Sequence, residues 1–221
     1  MGHVERRTAA TRFDFVLHID DDLSQLPLAG VSVTQCSPDD STRCVARSGP
    51  ILTNDKGVAR LTITTIGGDD AYGGPFEVSA PGYGVILYYF APALVGTTEI
   101  SLHMTKLDQL ESPAVPLPSS ERGMLTVNVL SCSGVLARGA TIRASTTDAS
   151  AIPFYVKLGE GSTVDTELQR TTATGVGGIA NLPPGPTTVS LSVDPLCLPI
   201  SRANVGIRPN AITVVVMSPT P

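Results

Sequence analysis

The chain has 221 residues, with 15 lysines and arginines against 20 aspartates and glutamates, so its formal net charge is −5. Hydrophobic residues make up 42% and charged residues only 16%, which is typical of a folded protein and not of a disordered one. A pI near 5.1 and the lack of any Lys/Arg run argue against a nucleic-acid partner. No stretch approaches the length of an apolar membrane span. Frequent glycine and proline (21 and 18) predict an all-β fold of one or two domains.

The N-terminus and the cysteines bear on the compartment. Residues 1–7 contain no apolar core of a signal peptide, so we expect no secretory leader in this chain. None of the four cysteines forms a C-x-x-C motif, which leaves a zinc site poorly supported. Two cysteines in each half predict the disulfides Cys36–Cys44 and Cys132–Cys197, and hence an exported protein whose leader has been removed. The alternative is four free thiols in a cytoplasmic protein.

A proline-rich segment divides the chain. Residues 112–120 hold three prolines, which cannot donate to a sheet and favour an extended spacer. We therefore expect an N-terminal tail at 1–12, a β-sandwich at 13–105, a linker at 106–123, a second β-sandwich at 124–217 and a tail at 218–221.

The same order of elements occurs on both sides of the linker. The first half opens at 13–19, where four apolar residues alternate onto one face: Phe13, Phe15, Leu17 and Ile19. Further strands and turns of the first half are predicted at 27–33, 53–61, 76–83 and 100–104. The second half repeats the opening strand and these four segments at 125–129, 136–142, 171–182, 184–193 and 212–217. Strands at this spacing predict two tandem Greek-key β-sandwiches.

These motifs resemble the carboxypeptidase regulatory-like domains, also called transthyretin-like or Cna-B-like. The resemblance rests on Leu28-Ala29-Gly30-Val31, Thr53-Asn54-x-x-Gly57-x-Ala59 and Ala80-Pro81-Gly82-Tyr83 in the first half. In the second half the matches are looser, Thr174-Gly175-x-Gly177-Gly178 for the turn and Pro184-Gly185-Pro186 for the Pro-Gly segment. The resemblance implies prealbumin-like sandwiches that serve as stalks, spacers, adhesion or carbohydrate-contacting units of secreted or surface proteins.

Some members of this family are enzymes, and their characteristic motifs do not occur in this sequence. Hydroxyisourate hydrolases end in Tyr-Arg-Gly-Ser, whereas this chain ends in Met217-Ser218-Pro219-Thr220-Pro221. The two-Tyr, two-His iron spacing of intradiol dioxygenases does not occur, and the opening strand has no lysine for a Cna-B cross-link. No set of acid, base and nucleophile stands out among the three histidines, so we expect no enzyme activity.

Two kinds of cation site deserve mention as alternatives. His18 and His103 both point outward on the first and last strands of the first half, and with Asp20 they could hold a transition metal if those strands are neighbours. Carboxylates cluster in predicted loops at 20–22, 39–40 and 69–70, and calcium is the cation such oxygens would take. Solvated histidines and solvated turns explain the same residues, and we expect no cofactor.

Aromatic residues supply the candidate contact surface. The segment 85–90 is apolar on both faces, so one face must cover something besides its own core. The partner sandwich, a second protomer or a ligand could be covered, and we favour packing between the two sandwiches. A second aromatic group lies in the insertion 145–170. The candidate contact residues are Tyr83, Tyr88, Tyr89, Phe90, Phe154 and Tyr155.

The sequence therefore predicts a non-catalytic structural or interaction module of an exported bacterial protein, with a spacer, adhesion or assembly role. Its partner would be another protein or a larger envelope assembly. A carbohydrate-binding module that stacks sugars on exposed tyrosines is the alternative, and a metal carrier or small enzyme using His18 and His103 is a further one.

Overall fold

The computed structural model describes residues 12–37, 43–65, 71–91, 93–107, 114–131, 133–159, 161–192 and 202–217. Strands form the regular structure in these ranges, and the all-β fold class is confirmed. The first half contains β1 (Arg12–Asp21), β2 (Ser32–Gln35), β3 (Ile51–Leu52), β4 (Val58–Thr64), β5 (Ala71–Tyr72), β6 (Phe76–Ser79), β7 (Val85–Ala91), β8 (Leu94–Val95) and β9 (Thr98–Met104). The second half contains β10 (Gly123–Val129), β11 (Thr141–Ala144), β12 (Ile152–Gly159), β13 (Gly161–Asp165), β14 (Val176–Leu182), β15 (Gly185–Ser192), β16 (Arg202–Ile207) and β17 (Ala211–Met217).

The two halves have the same pairing pattern. In the first half β1 pairs antiparallel with β4 and parallel with β9, and in the second half β10 pairs antiparallel with β14 and parallel with β17. The order β2-β6-β7 in the first half is likewise matched by β11-β15-β16 in the second. In the first half, β4-β1-β9 packs across a core from β2-β6-β7. In the second half, β14-β10-β17 packs across a core from β11-β15-β16.

The halves also share a sheet. Strands β7 and β17 pair in parallel over seven residues, from Val85 opposite Ala211 to Ala91 opposite Met217. This pairing produces one nine-stranded sheet in the order β13-β12-β14-β10-β17-β7-β6-β2-β3. We call the β7–β17 pairing the seam. The sequence predicted two sandwiches joined by a proline-rich linker and favoured packing of the segment 85–90 against the partner sandwich; here a continuous sheet joins the two halves.

The seam explains why β7 is apolar on both faces. On one face Ile86 and Tyr88 pack in the core that lies under β4-β1-β9, together with Val214 from β17. On the other face Leu87 and Tyr89 pack in the core that lies under β11-β15-β16. The strand therefore lies in the middle layer of three, and both sets of its side chains are buried. Central strands of this kind need apolar residues without alternation.

A buried threonine ties loop to strand in each half. Its hydroxyl donates to a carbonyl in the loop after the opening strand and accepts from the amide at or just before the next strand. Thr53 Oγ1 donates to Leu28 O at 2.6 Å and accepts from Val31 N at 2.9 Å. Thr171 Oγ1 donates to Ala137 O at 2.8 Å and accepts from Ala140 N at 2.9 Å.

The structure corrects two of the motif matches. Gly57 and Gly175 occupy the same place, since their carbonyls accept from Ile19 N and Val129 N and both have positive φ (69° and 62°). The second-half turn motif therefore begins at Thr171, and the match that began at Thr174 was wrong. The Pro-Gly match was also wrong: residues 81–82 lie between β6 and β7, whereas Pro184 lies between β14 and β15 and Gly185 begins β15.

The glycines at 177 and 178 lie within β14 and not in a turn. A Cβ on Gly177 would meet the Tyr155 ring at 2.5 Å, and a Cβ on Gly178 would meet the Phe154 ring at 2.6 Å. Glycine is required here because the two rings lie against opposite sides of the strand backbone.

A disulfide joins Cys36 and Cys44, with a sulfur–sulfur distance of 1.97 Å, which fits the predicted pair. The other predicted pair, Cys132–Cys197, lies outside the described residues, as do the acidic positions 39–40 and 69–70. In the part of the chain that the structure describes, no helix has the length and apolarity to cross a membrane.

Replacing either threonine by valine should destabilise the protein. Thr53→Val and Thr171→Val keep the side-chain shape but leave a buried amide and carbonyl without their partner, at a cost of about 1–3 kcal/mol each. Urea denaturation measures this cost. Thr62→Val is the control, since its exposed hydroxyl makes only a 3.3 Å bond to Asp14, and it should change stability by less than about 0.5 kcal/mol. Equal effects at positions 53 and 62 would contradict the assigned role.

Candidate functional site

The most elaborate polar contacts of the first half lie where β1 ends and β7 begins. The Asp21 carboxylate accepts from the Tyr83 hydroxyl at 2.6 Å and from the Ser24 amide at 2.7 Å. The Tyr83 hydrogen bond is the largest of the effects that lower the pKa of Asp21 to about 2. The charged carboxylate therefore holds the end of β1 to the loop that leads into the seam.

The segment after β9 packs against this same end. Leu107 N donates to Gly82 O at 3.1 Å, and Asn210 N donates to Ser119 O at 2.8 Å. Val115 is buried in the first core. We call the described residues 105–107 and 114–122 the strap, and the end of the molecule that it crosses the strap end. The proline-rich segment is thus packed onto the fold along part of its length and is not a free spacer there.

A cleft of about 240 Å³ lies between the strap and the start of the seam. We call it the strap cleft. Its lining is mainly apolar, and the polar side chains in it are a tyrosine and an asparagine. The lining residues are Tyr83, Gly84, Val85, Leu107, Leu117, Pro118, Asn210 and Ile212. Among the described residues, no charged side chain lines this cleft.

Both ends of the described fold lie opposite the strap end. Asp21, at the end of β1, contacts Tyr83, so β1 runs toward the strap end. Strands β7 and β17 run away from it in parallel. The contact between the rings of Phe15 and Phe90, with centroids 5.8 Å apart, fits this antiparallel arrangement of β1 and β7. The start of β1 and the end of β17 therefore lie at the same end of the molecule.

The predicted metal-binding residues share a sheet face. Strands β1 and β9 are neighbours, and Asp20 is the register partner of His103. His18, two residues before Asp20, has Nε2 at 2.5 Å from a Glu99 carboxylate oxygen. Within the described ranges, no group of three or more His, Cys, Asp or Glu side chains is placed to hold a metal ion. The expectation that residues 20–22 form a loop was wrong for Asp20 and Asp21, which are the last two residues of β1, and Asp21 is buried.

Most of the aromatic residues predicted to contact a partner are buried in the two cores. Tyr88, Tyr89, Phe154 and Tyr155 are buried, and burial raises the pKa of Tyr88 to about 12. The Tyr89 hydroxyl accepts from Gly206 N at 3.0 Å and so ties β7 to the second half. These four rings are core residues and cannot stack on a sugar, so the exposed-tyrosine interpretation fails for them. Phe90 and Tyr83 are partly buried.

Several charged side chains form structural pairs. Arg208 pairs with Glu77 across the two halves, Arg122 with Asp148 at 2.6 Å, and Lys157 with Asp165 at 2.8 Å. Hydrogen bonds from the Ser150 hydroxyl and then from Arg122 lower the pKa of Asp148 to about 2. The Lys157 hydrogen bond lowers the pKa of Asp165. These shifts reflect exposed pairs that brace strands and loops.

Sequence reasoning missed the Asp21–Tyr83 contact, although a signal was present. Asp21 continues the odd-numbered face of Phe13, Phe15, Leu17 and Ile19, so alternation already places it inside. A carboxylate on a buried face requires a donor, and the tyrosine of the Pro-Gly-Tyr segment supplies it.

Comparison with known proteins yields fold similarity only. No protein-family model matches the chain, and no curated protein matches it. Among solved structures, the shaft pilin SpaA from Lactobacillus rhamnosus GG is 12% identical, with a TM-score of 0.28, and the match covers 96% of this chain and 99% of the pilin. The minor pilin GBS52 of Streptococcus agalactiae is 12% identical (TM-score 0.32; 95% and 98% covered). A streptococcal ancillary pilin is 15% identical (TM-score 0.27; 95% and 63% covered). At these values the similarity carries no functional argument.

The Asp21–Tyr83 bond predicts an acid-dependent loss of stability. Because the folded pKa lies below the ordinary value, the contribution is present above about pH 4 and is lost as pH falls toward 2. Tyr83→Phe should therefore destabilise the protein at neutral pH, and its deficit relative to wild type should shrink between about pH 5 and 2. Urea denaturation over this range measures the deficit.

Tyr72→Phe is the matched control. The Tyr72 hydroxyl donates to the Cys36 and Pro75 carbonyls, which do not titrate, so its deficit should stay constant over the same pH range. A Tyr83→Phe deficit that is as independent of pH as that of Tyr72→Phe would show that the Asp21 charge plays no part.

Proposed function

We propose that the protein is a non-catalytic interaction module of an exported bacterial surface or envelope protein. The observation that carries the proposal is the use of the described charged groups. Several of them brace strands and loops in pairs, and none of the described charged side chains lines the strap cleft. Acid–base or nucleophilic catalysis needs such groups to converge on a substrate site.

The position of the first and last strands favours side presentation over in-line spacing. The start of β1 and the end of β17 both lie at the end opposite the strap. A spacer that transmits length along a fibre has its ends at opposite poles. The module we propose is instead held at one end and offers its strap end to a partner.

The duplicated pairing pattern fits the carboxypeptidase regulatory-like resemblance. The two buried threonines and the two turn glycines recur at equivalent places in both halves. Modules of this kind use their sandwiches as scaffold, and their contacts come from loops. The predicted partner is a protein or a larger envelope assembly.

Catalysis can be tested directly. Purified protein assayed against ester, amide, glycoside and phosphate model substrates should show no turnover above buffer. His18→Ala and His103→Ala are the matched variants, since these are the candidate residues of the enzyme alternative. Turnover that copurifies with the protein and is lost in either variant would overturn the proposal.

The compartment can be tested by counting thiols. Protein isolated from its source cells with thiols blocked, and then denatured, should contain no free thiol among its four cysteines if it is exported. Cys36→Ser should release one free thiol, from Cys44. Four free thiols in the wild-type protein would place it in a reducing compartment and contradict export.

A further inference from the structure

The loop after β1 presents two leucines to solvent. Leu23 is 75% exposed and Leu26 is 64% exposed. Singly exposed leucines are common on protein surfaces, but this pair lies on one five-residue loop, 22–26, at the strap end. We call this segment the leucine loop.

The leucine loop is held rigid by its own hydrogen bonds. Gln25 N donates to Asp21 O at 2.8 Å, Asp21 N donates to Leu26 O at 2.9 Å, and Ser24 N donates to the Asp21 carboxylate. Gln25 has a φ of +56°, a conformation that costs a non-glycine residue free energy. A loop that is fixed and strained while it exposes apolar side chains is preorganised for contact.

The strap cleft lies beside the leucine loop. Asp21 connects them, since its backbone bonds to Leu26 and its carboxylate to Tyr83, which lines the cleft. At about 240 Å³ the cleft is smaller than the usual range for small-molecule sites of about 300–1,000 Å³, so it suits individual apolar side chains. The exposure of Leu23 shows that the loop does not fill the cleft of its own chain.

We propose that two copies of this chain dimerise through their strap ends, with the leucine loop of each copy in the strap cleft of the other. A two-fold axis permits this because the leucine loop and the strap cleft lie at the same end of the molecule, and such an interface closes at two copies. The exposed charges nearby have both signs: Asp22 is negative, and Lys56 and Lys106 are positive. Two strap ends can therefore meet without uniform repulsion. The start of β1 and the end of β17 lie away from the contact.

The dimer should be weak and reversible. One loop and one small cleft from each copy put the interface near or below about 1,200 Å² of buried surface, the size of transient contacts. The inference does not depend on the proposed function, because a monomer without turnover would overturn the dimer and leave the non-catalytic module standing.

The oligomeric state tests the proposal. Sedimentation equilibrium of the full chain up to about 1 mM should show a monomer–dimer equilibrium. The double variant Leu23→Asp/Leu26→Asp should weaken dimerisation by at least about tenfold. Gly84→Val tests the strap cleft, since a Cβ added at this position would lie 3.1 Å from the flexible end of Leu107 and the larger side chain would narrow the cleft. Circular dichroism and thermal unfolding should confirm that both variants remain folded.

The second half provides the matched control. Val135 and Leu136 are 62% and 50% exposed on the corresponding loop, which follows β10 and so lies at the end opposite the strap. The double variant Val135→Asp/Leu136→Asp should leave the dimer unchanged. A wild-type chain that stays monomeric, or a dimer that only this control weakens, would overturn the proposal.

Cross-linking tests the geometry. A photoreactive amino acid at position 23, in a mixture of isotopically light and heavy chains, should cross-link to the peptide of the other chain that contains Leu117 and Pro118. Cross-links confined to one chain, or cross-links between chains that fall elsewhere, would overturn the proposed docking.

Discussion

The structure depends on the parallel pairing of β7 with β17. These strands come from different halves of the chain, and their seven register pairs join two sets of strands into one nine-stranded sheet. Parallel strands in the middle of a layered protein are covered on both faces. The seam therefore lies between the two cores, and each core takes residues from the other half. Neither half could bury its apolar strand at the seam alone.

The seam also determines what the surface can do. Tyr89 and the Arg208–Glu77 pair fasten the halves beside it, and the strap crosses its starting end. Because β1 runs toward that end while β7 and β17 run away from it, the start of β1 and the end of β17 lie on the far side. The strap end carries the leucine loop and the strap cleft. In the described part of the chain no charged side chain lines this cleft, and a scaffold with an apolar contact region at its strap end is suited to binding.

The sequence predicted what depends on local pattern. Alternation in β1 and the Thr-Asn-x-x-Gly turn at 53–57 specify a strand and a tight turn through side-chain period and glycine φ. It could not predict the seam, because pairing between distant strands is not encoded in either strand alone. The segment 85–90 did show that two faces needed cover, and it favoured packing against the other half over a second protomer or a ligand, but it did not show which strand would supply the pairing. The apolar residues of 212–216, also unalternated, were the missing complement.

Native-state hydrogen exchange of the full chain tests the seam most directly. If the two cores form one cooperative unit, the bonded amides of β7 and β17 should exchange only through global unfolding, with the same free energy as those of β1 and β10. The contradicting result is seam amides that exchange at a clearly lower free energy while β1 and β10 stay protected, since that would mean that the halves separate while each remains folded.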